Sequence, residues 1–180
     1  VSSPVAGTTY TWSGPNSYSG TGISISIPNG TTAAGGNYLV TATLSGCTSP
    51  ATTVTATVNP TPAAPVATTP VNFCQNATAT ALTATAAINN TLYWYTVPNG
   101  GTGSTTAPTP PTTTVGTTLY YVSQQTAQNC EGPRTPISVV INPTPAISGQ
   151  TATICSGQAF SVAPSGSGVP AGTTYTWTAP

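Results

Sequence analysis

The chain has almost no ionisable side chains. Its 180 residues include one Arg (Arg134), one Glu (Glu131) and no His, so that charged residues make up 1% of the sequence, against about 25% in an ordinary soluble domain. Nucleic-acid binding and polybasic contacts with a membrane both draw on clustered Lys and Arg, and the composition excludes both. No apolar run approaches the roughly 20 residues that a membrane-spanning helix needs.

The same absences exclude most enzyme chemistry. A Ser or Cys nucleophile needs a neighbouring base, usually His, and glycoside hydrolysis needs a pair of carboxylates. Calcium sites need several carboxylate oxygens, and the four Cys form no CxxC motif of the kind that binds zinc. The sequence therefore predicts no catalysis, no cofactor and no metal site.

The residues that are present favour β-structure. Thr alone supplies 40 of the 180 residues, and clusters of Trp, Tyr, Val, Ile and Leu alternate with turn-rich stretches. No segment of helical length carries a 3.6-residue apolar period. The clearest strand-like runs are Thr91–Val97, Thr117–Gln124 and Thr135–Asn142. Short strands separated by turn signals predict an all-β fold made of Ig-like β-sandwiches. The Pro/Thr-rich stretch Ser104–Thr114 is expected to project rather than pack.

The sequence repeats itself at two spacings. The hexapeptide GTTYTW occurs at Gly7–Trp12 and again at Gly172–Trp177, 165 residues later. A spacing of 81 to 83 residues relates five further pairs: Asn59–Ala63 with Asn142–Ala146 (both NPTPA), Trp12 with Trp94, Tyr38 with Tyr120, Cys47 with Cys130, and Cys74 with Cys155. These spacings predict a tandem array of domains of about 82 residues, in which two diverged types alternate.

The repeat also predicts the domain boundaries. Val1–Asn59 would be the tail of one domain, Pro60–Asn142 a complete domain, and Pro143–Pro180 the head of a third. Each junction contains Asn-Pro-Thr-Pro, and Pro restricts both its own backbone and that of the preceding residue. We therefore expect short, semi-rigid junctions in an extended array, and we expect both chain ends to fall inside domains.

Aromatic side chains are the expected anchors of each core. Trp94 and Tyr121 are predicted to lie between the two sheets of the complete domain, together with Leu92, Val139 and Ile141. Trp12 and Trp177 are the corresponding anchors of the neighbouring domains. Tyr93 and Tyr95 flank Trp94 on the opposite strand face, where they could contact a ligand such as a glycan.

The four cysteines suggest an oxidising, extracytoplasmic setting. Within the complete domain we predict a disulfide between Cys74 and Cys130, worth up to about 4 kcal/mol in the chain-entropy model. Cys47 and Cys155 occupy the equivalent positions in the neighbouring domains, so their partners are expected beyond this sequence. A Cys47–Cys155 bridge is disfavoured, because an extended array would separate the two flanking domains.

Two features leave alternatives open. Glu131 and Arg134 lie in one loop, NCEGPRTP, where they form either a recognition pair or a surface ion pair worth about 0–1 kcal/mol. The zero net charge either promotes contact between copies of the chain or simply reflects the fact that covalent arrays need no charge.

Several segments resemble known repeats. Cys155–Pro180 together with Gly36–Pro62 resembles the PKD-like repeats of giant Bacteroidota surface proteins. The motifs FCQNATATALTATA, LYWYT, GGTGSTTAPTP and YYVSQQTAQNCEGPRTPISVVINP resemble the Ig-like repeat often found beside them. The resemblance implies that 1–59 and 143–180 are parts of PKD-like domains and that 60–142 is an Ig-like domain.

The resemblance also implies a location and a role. Export through the type IX pathway would place the chain outside the cell, as part of a gliding-motility adhesin or a surface filament. We therefore expect a structural or adhesive repeat segment whose partners are copies of itself and surface glycans. The alternative is a carbohydrate-binding or spacer module of a secreted glycan-degrading enzyme.

Overall fold

The computed structural model describes residues 4–159, 172–174 and 176, so Trp177 lies outside the described residues. Within them the chain forms β-strands and one short 3-10 helix, and no α-helix, which confirms the all-β prediction. Two compact units are present. Unit 1 comprises Val1–Pro62 with Gln128–Cys130, and unit 2 comprises Ala63–Ala127 with Glu131–Pro180.

Unit 1 is built on one antiparallel sheet. Its elements are β1 (Thr9–Gly14), β2 (Tyr18–Thr21), the 3-10 helix (Thr32–Ala34), β3 (Gly36–Leu44), β4 (Cys47–Thr48) and β5 (Thr52–Ala56). The strand order is β2-β1-β3-β4, and β5 also pairs with β3. Asn16 and Ser17 have positive φ angles of 54° and 58° in the β1–β2 turn, the backbone conformation that tight hairpins favour.

The core of unit 1 lies on one face of this sheet. It consists of Tyr10, Trp12, Tyr38 and Val40. The Trp12 indole Nε1 donates a hydrogen bond to the Gly22 carbonyl over 2.9 Å, which satisfies the one polar group of this buried ring. Gly14 lies under the Tyr38 ring, and a Cβ there would come within 2.3 Å of a ring carbon. This close approach explains why the strand carries glycine at that position.

Unit 2 contains one larger sheet and a small ribbon. Its strands are β6 (Val66–Ala67), β7 (Val71–Cys74), β8 (Ala84–Thr85), β9 (Thr91–Tyr95), β10 (Gly116–Gln125) and β11 (Thr135–Asn142). The sheet has the order β7-β11-β10-β9, and β6 pairs with β8. β7 runs parallel to β11, whereas the other pairs are antiparallel.

The core of unit 2 is formed between this sheet and a second layer. The buried side chains are Leu82, Trp94, Tyr120, Val122, Ile137, Val139 and Ile141. The second layer includes the β6–β8 ribbon and two irregular segments, which are joined by hydrogen bonds from Leu82 N to Pro108 O (2.9 Å) and from Asn76 N to Thr112 O (3.0 Å). The prediction that Ser104–Thr114 projects is therefore wrong, because these bonds and the burial of Thr112 hold it against the domain.

The two units share one strand register. Trp12 pairs with Val40 across β1 and β3, and Trp94 pairs with Val122 across β9 and β10. Tyr38 likewise faces Val54, and Tyr120 faces Ile137. β1, β3 and β5 of unit 1 therefore correspond to β9, β10 and β11 of unit 2, at the spacing that the sequence repeat has.

Tyr120, rather than Tyr121, occupies the core. The side chain of Tyr120 is 7% exposed, whereas Tyr121 is only partly buried and lies on the outer face, opposite Tyr95 in the neighbouring strand. Successive strand residues face opposite sides, so the assignment of one tyrosine fixes the other. The prediction of Tyr121 as a core anchor is therefore wrong by one residue. Leu92, Trp94, Val139 and Ile141 lie in or against the core, and Trp12 lies in that of unit 1.

The predicted Cys74–Cys130 disulfide is not formed, and none of the four cysteines makes one. Cys74 ends β7 opposite Asn142, at the last residue of β11, whereas Cys130 precedes Thr135, at its first. At about 3.3 Å per residue the eight-residue strand separates them by roughly 23 Å, and a disulfide needs Cα atoms within about 7 Å. The pairing is wrong because β7 runs parallel to β11, which carries Cys74 to the far end of the sheet.

Candidate functional site

The outer face of the unit 2 sheet carries a polar cluster. Tyr93 and Ser123 are paired across β9 and β10, as are Tyr95 and Tyr121, so all four side chains lie on the face opposite the core. The connection between β10 and β11 contributes Glu131 and Arg134, the only charged side chains of the chain. Both contact this face, which is why a strand residue outside the main core, Ser123, is fully buried.

Glu131 accepts two hydrogen bonds from the sheet. The Tyr95 hydroxyl and the Ser123 hydroxyl each donate to Glu131 Oε1 over 2.6 Å. Gln125 and Glu131 also form an isolated antiparallel bridge. The carboxylate thus fixes the connection to two adjacent strands, β9 and β10.

Arg134 covers the other side of the same tyrosine. Its guanidinium carbon lies 3.2 Å from the Tyr95 ring centroid, a cation–π arrangement. Arg134 Nη1 donates to the Val97 carbonyl (2.8 Å) and Nη2 to the Gly100 carbonyl (2.9 Å), in the turn that follows β9. The Glu131 carboxylate and the Arg134 guanidinium are therefore bound chiefly by neutral groups of the sheet and its turns, and less by one another. The cluster therefore stabilises the fold around Tyr95.

These contacts shift two pKa values in opposite directions. Burial alone would raise the pKa of Glu131, but the hydrogen bonds from Ser123 and Tyr95 and the positive charge of Arg134 outweigh it, so the pKa lies below the ordinary 4.5. Burial, together with the hydrogen bond to Glu131, raises the pKa of Tyr95 above its ordinary 10.0. At neutral pH the cluster thus consists of a carboxylate and a neutral phenol.

Tyr95 is not available to a ligand, and that prediction is wrong. Its side chain is 7% exposed, its hydroxyl is bonded to Glu131 and its ring is covered by Arg134. Tyr93 is only half-buried and so remains a candidate contact. The exposed feature beside the cluster is a shallow cleft of about 480 Å³, whose walls include Pro98, Tyr121, Glu131, Pro133, Arg134 and Pro136.

Few ionisable groups stand at this cleft. Glu131 is the only acidic side chain of the chain and no His exists. The one hydroxyl that donates to this carboxylate from a serine, that of Ser123, is fully buried. No group of three His, Cys, Asp or Glu side chains able to hold a metal ion occurs among the described residues. In that part of the chain, no helix is both long and apolar enough to cross a membrane.

Gln124 is a buried polar residue that sequence inspection missed. It is 3% exposed, and its side chain makes three hydrogen bonds: Nε2 donates to the Ala63 carbonyl (2.8 Å), while Oε1 accepts from Ala87 N (2.6 Å) and Asn90 Nδ2 (3.1 Å). One side chain thereby ties the start of the domain and the β8–β9 turn to β10. The available signal was the strand run YYVSQ, in which Gln124 has the same phase as Tyr120 and Val122.

Comparisons with known proteins agree with this architecture. Residues 62–143 match the family model described as "Ig-like domain CHU_C associated", close to the predicted complete domain. The fold of this segment is Ig-like. No curated protein matches the chain.

Among solved structures, one described as "Sidekick-1 immunoglobulin domains 1-5" is 15% identical over 75% of this chain. The match covers 31% of that chain, so the present sequence spans about a third of its length, and the TM-score is 0.26. A likeness this low carries no argument about function.

Proposed function

We propose that this chain is a structural or adhesive repeat segment of a long extracellular surface protein or filament, without catalysis. The observation that carries the proposal is the combination of an Ig-like match over residues 62–143 with a second unit built on the same strand register. Repetition of one sandwich along a chain produces a scaffold in which each unit contacts its neighbours. An inventory with one Glu and no His supports a role in which no bond is made or broken.

The finer assignment rests on the resemblance to Bacteroidota repeats. We infer that unit 1 and the segment after Asn142 belong to PKD-like domains, and that the protein is exported through the type IX pathway to the cell surface, where it serves in adhesion or gliding. Copies of the chain and surface glycans are its proposed partners. A surface almost without charge supports such contacts, because copies do not repel one another.

Surface labelling of intact source cells tests this role. Antibodies against the chain should bind unpermeabilised cells, and brief external protease treatment should remove the signal while a cytoplasmic marker stays intact. Disruption of the gene should reduce attachment to glass or gliding across it, and inactivation of the type IX machinery should abolish the labelling. Labelling that requires permeabilised cells would contradict the proposal.

Carbohydrate binding is the second candidate, and the cleft beside Glu131 is the observation that favours it. Its walls place the partly buried Tyr121 ring near a carboxylate and several prolines, which is the combination of a flat apolar surface and a polar acceptor that a neutral sugar can use. On a glycan array, binding by the native chain that disappears in Tyr121→Ala and Tyr93→Ala would support it. Binding that Tyr121→Ala leaves unchanged would exclude this cleft.

A further inference from the structure

The near absence of charge leaves proteases that select charged side chains few places to cut. A trypsin-type protease binds the Lys or Arg that precedes the cleaved bond in a pocket with an acidic group. The sequence contains no Lys and one Arg, Arg134, and its one acidic residue is Glu131. Within this sequence, a trypsin-type protease and a protease specific for acidic side chains can therefore each attack a single bond.

The Arg134 side chain is held against the sheet and its turn. Its guanidinium carbon lies 3.2 Å from the Tyr95 ring centroid. The two terminal nitrogens donate to the carbonyls of Val97 and Gly100 over 2.8 Å and 2.9 Å. Entry of this side chain into a protease pocket would break all three contacts, so the fold competes with the protease for the same guanidinium.

The backbone around the bond that follows Arg134 is held as well. Thr135 begins β11 and pairs with Val122 of β10. On the other side of Arg134, the Gly132 amide donates to the Gln124 carbonyl over 2.9 Å. Because a protease binds several residues of detached chain around the bond that it cuts, this bond becomes accessible only when the connection between β10 and β11 opens.

The Glu131 side chain is bound by the same strands. The hydroxyls of Tyr95 and Ser123 each donate to its Oε1 over 2.6 Å, and its backbone forms a bridge with Gln125. A protease that selects acidic side chains would have to displace both hydroxyls from the carboxylate. The polar cluster on the outer face of unit 2 therefore holds both charged side chains of the sequence.

We propose that this fold makes the chain resistant to trypsin-type proteases and to proteases specific for acidic side chains. The composition leaves one bond for each class of protease, and the polar cluster shields both. Cleavage of a folded chain follows the population of its open form, so both bonds are cut only through opening of the connection between β10 and β11. The inference goes beyond the proposed structural role and does not depend on it, because digestion of the purified chain is independent of its cellular location.

Digestion of the purified full chain with trypsin, followed by mass spectrometry, provides the first test. Ile147→Arg supplies the comparison, because Ile147 is 55% exposed in the segment 143–159, which forms no strand, and exposed irregular segments are preferred sites of nicking. The native chain should be cut after Arg134 about 100-fold more slowly than the variant is cut after position 147. In urea that unfolds unit 2, cleavage after Arg134 should become rapid. Equal rates at the two positions in the folded chain would overturn the proposal.

A second comparison tests the role of the polar cluster. Tyr95→Leu removes the ring under Arg134 and the hydroxyl that binds Glu131, whereas Tyr93→Leu alters a tyrosine on the same strand face. The first variant should be cut after Arg134 about tenfold faster than the second. Equal rates would contradict the role of the cluster if Trp94 fluorescence shows that both variants are folded. If Tyr95→Leu is unfolded, the comparison of the native chain with Ile147→Arg decides.

The surface-labelling experiment needs a protease without a preference for charged side chains. A subtilisin-type protease is suitable, because the exposed segment 143–159 offers it apolar residues such as Ile147 and Ile154, which are 55% and 49% exposed. A failure of that experiment would contradict the proposed location and leave the trypsin results unchanged.

Discussion

Units 1 and 2 have the same strand register but differ in how well their cores are covered. Trp12 and Trp94 pair with Val40 and Val122 in the same way, and both rings are nearly fully buried. The next strand differs, because Val54 is 44% exposed where Ile137 is fully buried. The central strands of each sheet therefore suffice to bury its tryptophan. In unit 2 the last strand, β11, is covered by residues 63–90, which include β6, β7 and β8 and are called the sealing segment below.

Gln124 shows how the sealing segment is held in unit 2. Its amide binds Ala63 at the beginning of that segment and both Ala87 and Asn90 near its end. The equivalent residue of unit 1 is Ala42, which faces Tyr10 as Gln124 faces Leu92. The position that holds this segment in unit 2 is thus polar, and the equivalent position in unit 1 is an alanine.

The largest expected effect comes from truncating the two equivalent side chains of the last strand. Ile137→Ala should destabilise unit 2 by about 2–5 kcal/mol, because it leaves a cavity in a sealed core. Val54→Ala should cost unit 1 less than about 1 kcal/mol, since the side chain is already half in solvent. Urea unfolding followed by Trp94 or Trp12 fluorescence, with the other tryptophans replaced by Phe, separates the two units. Equal losses would show that the cores are equally sealed.

A smaller loss of stability is expected when the side chain that holds the sealing segment, Gln124, is removed. Gln124→Ala leaves the Ala63 carbonyl and the Ala87 N–H without their partner, at about 1–3 kcal/mol for each group that stays buried. The same urea experiment should show unit 2 losing about 2–3 kcal/mol. Gln158→Ala, at an exposed position, is the control and should change nothing. A Gln124 variant as stable as the control would mean that the apolar contacts alone hold the segment.

The pH dependence of unit 2 should follow one side chain. Because the pKa of Glu131 is lowered in the folded state, its contribution to stability is present above the unfolded value near 4.5 and is lost as pH falls through the lower folded value. Unfolding measured between pH 2 and pH 6 should show this loss, and Glu131→Gln should flatten the curve. Unit 1 has no acidic side chain, so its curve should stay flat; a parallel loss there would contradict the assignment.

The smallest expected effect is that of reductant. No disulfide joins Cys74 to Cys130, so the unfolding midpoint of unit 2 should be the same with and without dithiothreitol. Peptide mapping under non-reducing conditions should recover no fragment in which Cys74 is linked to Cys130. Recovery of that fragment in good yield would require β7 to pair with β11 differently.

Some features of this architecture could be predicted from the sequence and others could not. The all-β fold follows from short strand-like runs without helical periodicity, and the common register of the units follows from a spacing of 81 to 83 residues. The cysteine pairing could not be predicted, because it depends on the parallel pairing of β7 with β11, two strands far apart in the chain. Spacing in the sequence contains no information about strand direction.

The candidate site was harder to predict than the fold. The two adjacent tyrosines at positions 120 and 121 fit either phase of a strand, so periodicity could not decide which one enters the core. Tyr95 was expected on an open face, yet a loop 36 residues later in the chain covers it through Glu131 and Arg134. Contacts of this kind become visible only once the strands have been paired.

Hydrogen exchange of the last strands tests the central comparison most directly. The amides of 139–141 should exchange on the order of 100-fold more slowly than those of 54–56, because β11 is paired on both edges there and β5 on one. Equal protection of the two strands would contradict the account.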